Sequence, residues 1–109
     1  MSSLDIATLM VDLKNTASSI LKQDITTFKN FQERQLKAIA RQAALVANGI
    51  ATGEITEETR PFLLNGIKDL LLNFVKTLIG LIMVTVEKVW NALVMVVWAA
   101  ISTATGVIL

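Results

Sequence analysis

Along the first half of the chain, apolar residues return every three or four positions. Ile6, Met10, Leu13, Ala17 and Ile20 form one run, which resumes at Leu21, Ile25 and Phe28 and again at Ile39, Ala43, Val46 and Ile50. A repeat close to 3.6 residues marks an amphipathic helix. Ser3 and Asp5 offer an N-cap oxygen and a first-turn acid, so the helix is expected to start at Ser3. No Gly precedes Gly49 and no Pro precedes Pro61. The pattern therefore predicts one helix over about 3–52, with a bend or a shift of packing register at 30–35, where polar residues occupy the seam. Unbroken, that helix would be about 70 Å long.

Asn48, Gly49 and Gly53 end the first arm, and a loop over about 53–58 follows. Thr56 or Thr59 caps the next helix, Glu57 and Glu58 favour its positive end, and Pro61 suits a first turn. The second helix is predicted over about 59–105, with Gly106 as the residue that stops it. Val, Ile and Thr are frequent from Val84 onwards, but strict alternation is absent and no Gly or Pro divides residues 81–105, so helix is preferred to strand.

Two arms of about 45–50 residues joined by a short loop predict an all-α fold: one domain over 1–109, built as a long antiparallel helical hairpin, extended rather than globular, within a homo-oligomer. If the turn lies near residue 54 or 55, facing residues have numbers that sum to about 109. Lys22 then meets Glu87, Glu33 meets Lys76 and Arg41 meets Asp69 as inter-helix charge pairs. Asn65, Asp69, Asn73, Lys76, Gly80, Glu87 and Asn91 make a polar stripe on the second arm, expected to form the seam with the first or, in an oligomer, the wall of a pore.

The second arm ends in VWNALVMVVWAAISTATGVIL, residues 89–109, without a charged side chain. As a helix this stretch matches the roughly 30 Å of bilayer hydrocarbon. It is apolar on every side, and a paired first arm covers one side. Val89, Trp90, Leu93, Val94, Val96, Val97, Trp98 and Ile101 are the residues expected to contact lipid or a sister subunit. Trp90, beside Glu87 and Lys88, suits an interfacial anchor. Ala99, Ala100, Ser102, Ala104 and Gly106 form a small-residue tip that permits close helix approach.

Composition strengthens this picture. Hydrophobic residues make up 53% of the 109 and charged residues 17%, against about a quarter charged in ordinary soluble domains. The net charge of +1 gives no case for a nucleic-acid partner. His, Cys and Tyr are absent, which removes the commonest general base, the usual zinc ligands and any disulfide. With no glycine-rich phosphate loop and scattered carboxylates, the chain is read as non-enzymatic, with no cofactor, metal or small-molecule substrate. Arg34, Lys37 and Arg41 share a helical face near Phe28 and Phe31, which suits contact with anionic headgroups.

The first residues, MSSLDIATLMVDLK, lack a basic start and an unbroken apolar run, so no signal peptide is expected and synthesis in the cytoplasm follows. The function expected from these features is a non-enzymatic, self-assembling, membrane-associated helical-hairpin protein whose apolar second helix inserts in lipid or packs against sister subunits, as a membrane-embedded or pore-type oligomer. Its partners are copies of itself and a lipid bilayer or bound lipid. The alternatives are a structural subunit of a helical filament, tube or shell, and a small helical adaptor or secreted partner protein.

Overall fold

Ser18 ends the first helix well before a glycine could. In the computed structural model, which describes residues 3–80 and 83–109, helix α1 spans Ile6–Leu21 and is capped by Asp5, whose carboxylate accepts from the Thr8 N–H. Lys22 then turns into the left-handed region, at φ 56° and ψ 35°. The Ser18 carbonyl accepts from the N–H groups of Lys22 and Gln23, and the Ser18 hydroxyl accepts from the Ile25 N–H at 3.0 Å. The last carbonyls of a helix need partners, and here the chain supplies them by folding back on itself.

A short 3-10 turn, Ile25–Thr27, follows under an Asp24 cap. Asp24 accepts from the Thr26 backbone N–H at 3.0 Å and its hydroxyl at 2.7 Å, the kind of local bonding by which Asp and Thr compete with a helix. Ile25 is fully buried, and Phe28 and Phe31 pack on the core. These apolar residues, which helical spacing alone assigns to a continuing stripe, instead pin a non-helical crossing to the core.

Helix α2, Glu33–Thr52, ends at Gly53 in the left-handed conformation, φ 83°. The Ile55 N–H donates to the Gly49 carbonyl at 2.9 Å, and the Ile55 side chain covers Gly49 so closely that a Cβ there would collide with it. Helix α3, Arg60–Ile79, starts after Thr59 with Pro61 in its first turn. It stops at Gly80, whose φ of 81° and ψ of −151° lie in territory open to glycine alone. Helix α4 is Met83–Thr105, and Gly106, φ 76°, closes it.

The described residues are thus all-α, with four α-helices, and the extended two-helix hairpin is not what they form. Each expected arm folds in two, the first across residues 22–32 and the second at Gly80. The molecule measures 40 × 24 × 20 Å, too short for a 70 Å arm. Its radius of gyration, 13.7 Å, is close to the roughly 13 Å of a compact chain of this length.

Helices α2 and α4 each touch the other three, while α1 and α3 lie on opposite sides of that pair. The start of α1 lies beside the end of α4 and the end of α2, so α1 runs antiparallel to both and α2 runs parallel to α4. Ala40, Ala43 and Ala47, all buried, keep α2 slim where it faces the centre. The core gathers Leu9 and Leu13 of α1, Leu36 and Ile39 of α2, Ile67, Leu71 and Phe74 of α3, and Val89, Leu93, Val97 and Ile101 of α4. Phe31 meets Phe74 edge to face, with ring centres 6.4 Å apart.

Candidate functional site

Helix α4 draws its inner face from residues three and four apart. Val89, Leu93, Val94, Val97 and Ile101 are buried against the other helices, and Trp90, Val96 and Trp98 are half-buried beside them. The residues expected to contact lipid or a sister subunit therefore contact α1, α2 and α3 of their own chain. The five buried residues could reach lipid or another subunit only where α4 separates from its bundle, while Trp90, Val96 and Trp98 keep part of their surface accessible.

The outer face of α4 is less apolar than its sequence as a whole. It presents Val84, Glu87, Lys88, Asn91, Met95, Ala99 and Thr103, of which Val84 and Met95 are the large apolar members. A helix without charge beyond Lys88 is accommodated in this fold because three neighbours take its large side chains and water meets mainly small or polar ones. Val84–Thr105 is nevertheless long and apolar enough to cross a bilayer, and 33% of its most apolar window is buried.

The polar stripe of the second arm does not form a seam. Asn65, Asp69, Asn73, Gly80, Glu87 and Asn91 are exposed, and Lys76 is half-buried. Folding the arm at Gly80 turns those residues outward, as amphipathic packing requires. The three expected charge pairs fail for the same reason. Lys22 and Glu87, Glu33 and Lys76, and Arg41 and Asp69 form no ion pairs, because their register belongs to two unbroken arms. Among the described residues the ion pair is Lys14–Glu33, at 2.7 Å, with the Lys14 ammonium also 5.9 Å from the Phe31 ring centre. It clamps α1 to the first turn of α2. Lys14 was not singled out from the sequence, since its partner depends on where the chain reverses.

Arg34, Lys37 and Arg41 are exposed along the outer face of α2, with Leu45 one turn further on. Asp24 is the titrating group with a displaced pKa: bonds from the Thr26 hydroxyl and N–H hold its carboxylate below the ordinary value of 3.8. Among the described residues, no three His, Cys, Asp or Glu side chains come together as a metal site.

Three open grooves surround the C-terminal half of α4, where its small residues leave space. One of about 520 Å³ separates α1 from Val96, Ala100 and Ala104. Another, of about 400 Å³, lies between Leu4, the last turns of α2 and Ala104. The third, about 480 Å³, is bounded by Arg60, Leu64 and Lys68 of α3, Trp98 of α4, and Ile108 and Leu109 beyond it. Sequence reading missed Arg60, Lys68 and the hinge at Gly80; a glycine between Ile79 and Leu81 in an apolar helical run was the available signal. Compared with protein-family models, curated proteins and solved structures, the chain finds no match among any of the three.

Proposed function

We propose that the protein is a non-enzymatic, self-associating helical bundle that acts at membranes, with α4 as the element that enters lipid or packs against sister subunits. The observation that carries this reading is α4 itself: a span-length helix, uncharged after Lys88, incompletely covered by its own chain. Two features support the same reading. Gly80 ends α3 in a glycine-only conformation just before α4, and open grooves flank the C-terminal half of α4.

Opening at Gly80 would exchange the contacts of Val89, Leu93, Val97 and Ile101 with α1, α2 and α3 for contacts with acyl chains. Both environments are apolar, so the exchange costs little for those side chains. Glu87 and Lys88 would remain at the interface, and Trp90 is placed to sit there with them. Arg34, Lys37 and Arg41 would face headgroups on the side of α2 that already meets water.

A second reading, a closed helical adaptor, draws support from the molecular surface. The accessible area of 6390 Å² is near the roughly 6,000 Å² of a soluble monomer of 11.9 kDa, and among the described residues no polar or charged one is buried. Vesicle flotation combined with negative-stain microscopy separates the readings. Flotation with lipid, alone or as rings or patches, is the expected result. Ordered filaments or tubes in plain buffer would favour a structural subunit. A monodisperse monomer that ignores vesicles would leave the adaptor.

A further inference from the structure

The groove between the start of α3 and the end of α4 brings two cations together with an indole. Arg60, Leu64 and Lys68 are spaced four apart and line one wall; Trp98, Ile108 and Leu109 line the other. Glu57 is the acidic side chain in the lining, against the two basic ones. Neither cation has a carboxylate within ion-pair distance, since the ion pair among the described residues is Lys14–Glu33. The Nε of Arg60 is shut off from water and has no hydrogen-bond acceptor, an arrangement that folded chains ordinarily avoid.

A large apolar side chain stands in water at the same place: Ile108, part of the lining, is 93% exposed. Cations, an indole and a protruding apolar side chain around one groove have the composition of an interfacial anchor. The apolar side chain and indole suit the boundary between headgroups and acyl chains, while guanidinium and ammonium groups suit phosphate.

We infer that this groove is the docking site for an anionic phospholipid headgroup. On first contact, before α4 opens, Arg60 and Lys68 hold the phosphate, and Trp98 and Ile108 rest in the boundary layer. The proposal builds on the membrane reading above and narrows it: lipid is met first at the α3–α4 end, beside the uncharged half of α4. An acidic peptide would use the two cations but would leave Ile108, beside the uncharged half of α4, in water, which favours lipid as the occupant.

The test uses the full chain and vesicles of phosphatidylcholine with and without phosphatidylglycerol. At roughly one tenfold step per 1.4 kcal/mol and one unit of about 1 kcal/mol per headgroup-facing cation, R60Q/K68Q is expected to lose about 30-fold in binding to the anionic vesicles. Its helicity and melting temperature should match the native chain. K22Q/K29Q removes the same charge from the exposed crossing between α1 and α2, outside the lining of the groove and off the face of α2 proposed to meet headgroups, and should lose less than about threefold. Should the R60Q/K68Q pair unfold, each single variant carries the test with an expected loss of about fivefold. Native-like binding by R60Q/K68Q overturns the docking site while leaving the membrane reading intact. Equal losses in both double variants overturn it in favour of bulk charge. Displacement by millimolar inorganic phosphate, or binding of an acidic peptide with no vesicle binding, assigns the groove to another anion and overturns lipid docking. A native chain that binds neither vesicle removes the membrane reading, and the docking site with it.

Discussion

The indole N–H of Trp90 donates a 2.9 Å hydrogen bond to the backbone carbonyl oxygen of Lys68, tying the early part of α4 to the middle of α3. The two residues lie 22 apart in sequence and on opposite sides of Gly80, so the bond exists only while the second arm is folded in two. Trp90→Phe keeps most of the ring and removes the donor. The variant is expected to lose about 1 kcal/mol, lowering the melting temperature by roughly 4–8 °C. A thermal melt followed by circular dichroism reads this directly; an unchanged midpoint would mean the bond does not hold the bundle closed.

Val96 and Val97 are neighbours in sequence with different surroundings. Val97 is fully buried, so Val97→Asp places an unpaired carboxylate in the core and should unfold the chain, at a cost on the order of 4 kcal/mol or more. Val96 is half-buried and borders the groove against α1, where water reaches, although Asp5 and Asp12 line the same groove. Val96→Asp should therefore keep native helicity with a modest loss of stability. In lipid the same charge would lie near the middle of the uncharged stretch and cost about 3 kcal/mol. Folding measured by circular dichroism and binding measured by flotation should separate in this variant. Loss of both together would show that the two states do not differ at Val96.

Gly80 is expected to set the balance between the folded and straightened arm. Alanine at its φ and ψ is strained by about 1–3 kcal/mol, whereas alanine within a continuous helix is favourable. Gly80→Ala should lower the melting temperature, raise the radius of gyration in small-angle scattering above that of the native chain, and increase vesicle binding. A variant with native size and stability would show that the chain reverses without needing a glycine there.

Acid should loosen the crossing between α1 and α2. Asp24 has a folded-state pKa below its ordinary 3.8, so the unfolded chain takes up its proton first as pH falls. The stability this group contributes is present above about pH 4 and is lost as pH drops through the lower folded value. Asp24→Asn removes that contribution to the slope. Denaturation curves between pH 6 and 2 should show a shallower acid loss in the variant than in the native chain, and equal slopes would mean the Thr26 bonds do not discriminate the charged form.

Much of the fold was legible in the residues. The helical repeat of the first arm, the stop at Gly53, Pro61 in a first turn and Gly106 after the last helix all follow from local chemistry, and each has its counterpart in the bundle. The reversals were harder to read because their causes are not glycine and proline alone. Lys22 adopts the left-handed conformation because Ser18 satisfies three N–H groups around it, and Ile25 is held there by long-range burial. Such contacts depend on helices that come later in the chain. A bend was expected at 30–35, which overlaps the last residues of the break, 30–32, and runs on into the first turn of α2, since the polar seam is mostly the start of α2 rather than the cause of the turn. The face of α4 turned towards the core was visible as an apolar surface. Whether its cover was intramolecular depended on Gly80, and the cation–indole groove depends on that reversal too.

The most direct test of the account is the depth of Trp98 in a bilayer. With Trp90→Phe as background, Trp98 is the sole tryptophan and the chain has no tyrosine, so its emission reports one place near the middle of the uncharged stretch. On vesicles that bind the chain, the account predicts a blue-shifted emission, quenching by lipids brominated deep in the acyl chain and protection from aqueous iodide. Quenching by headgroup-level probes and iodide alone, with deep bromine without effect, would contradict it and leave α4 inside the closed bundle at the membrane surface.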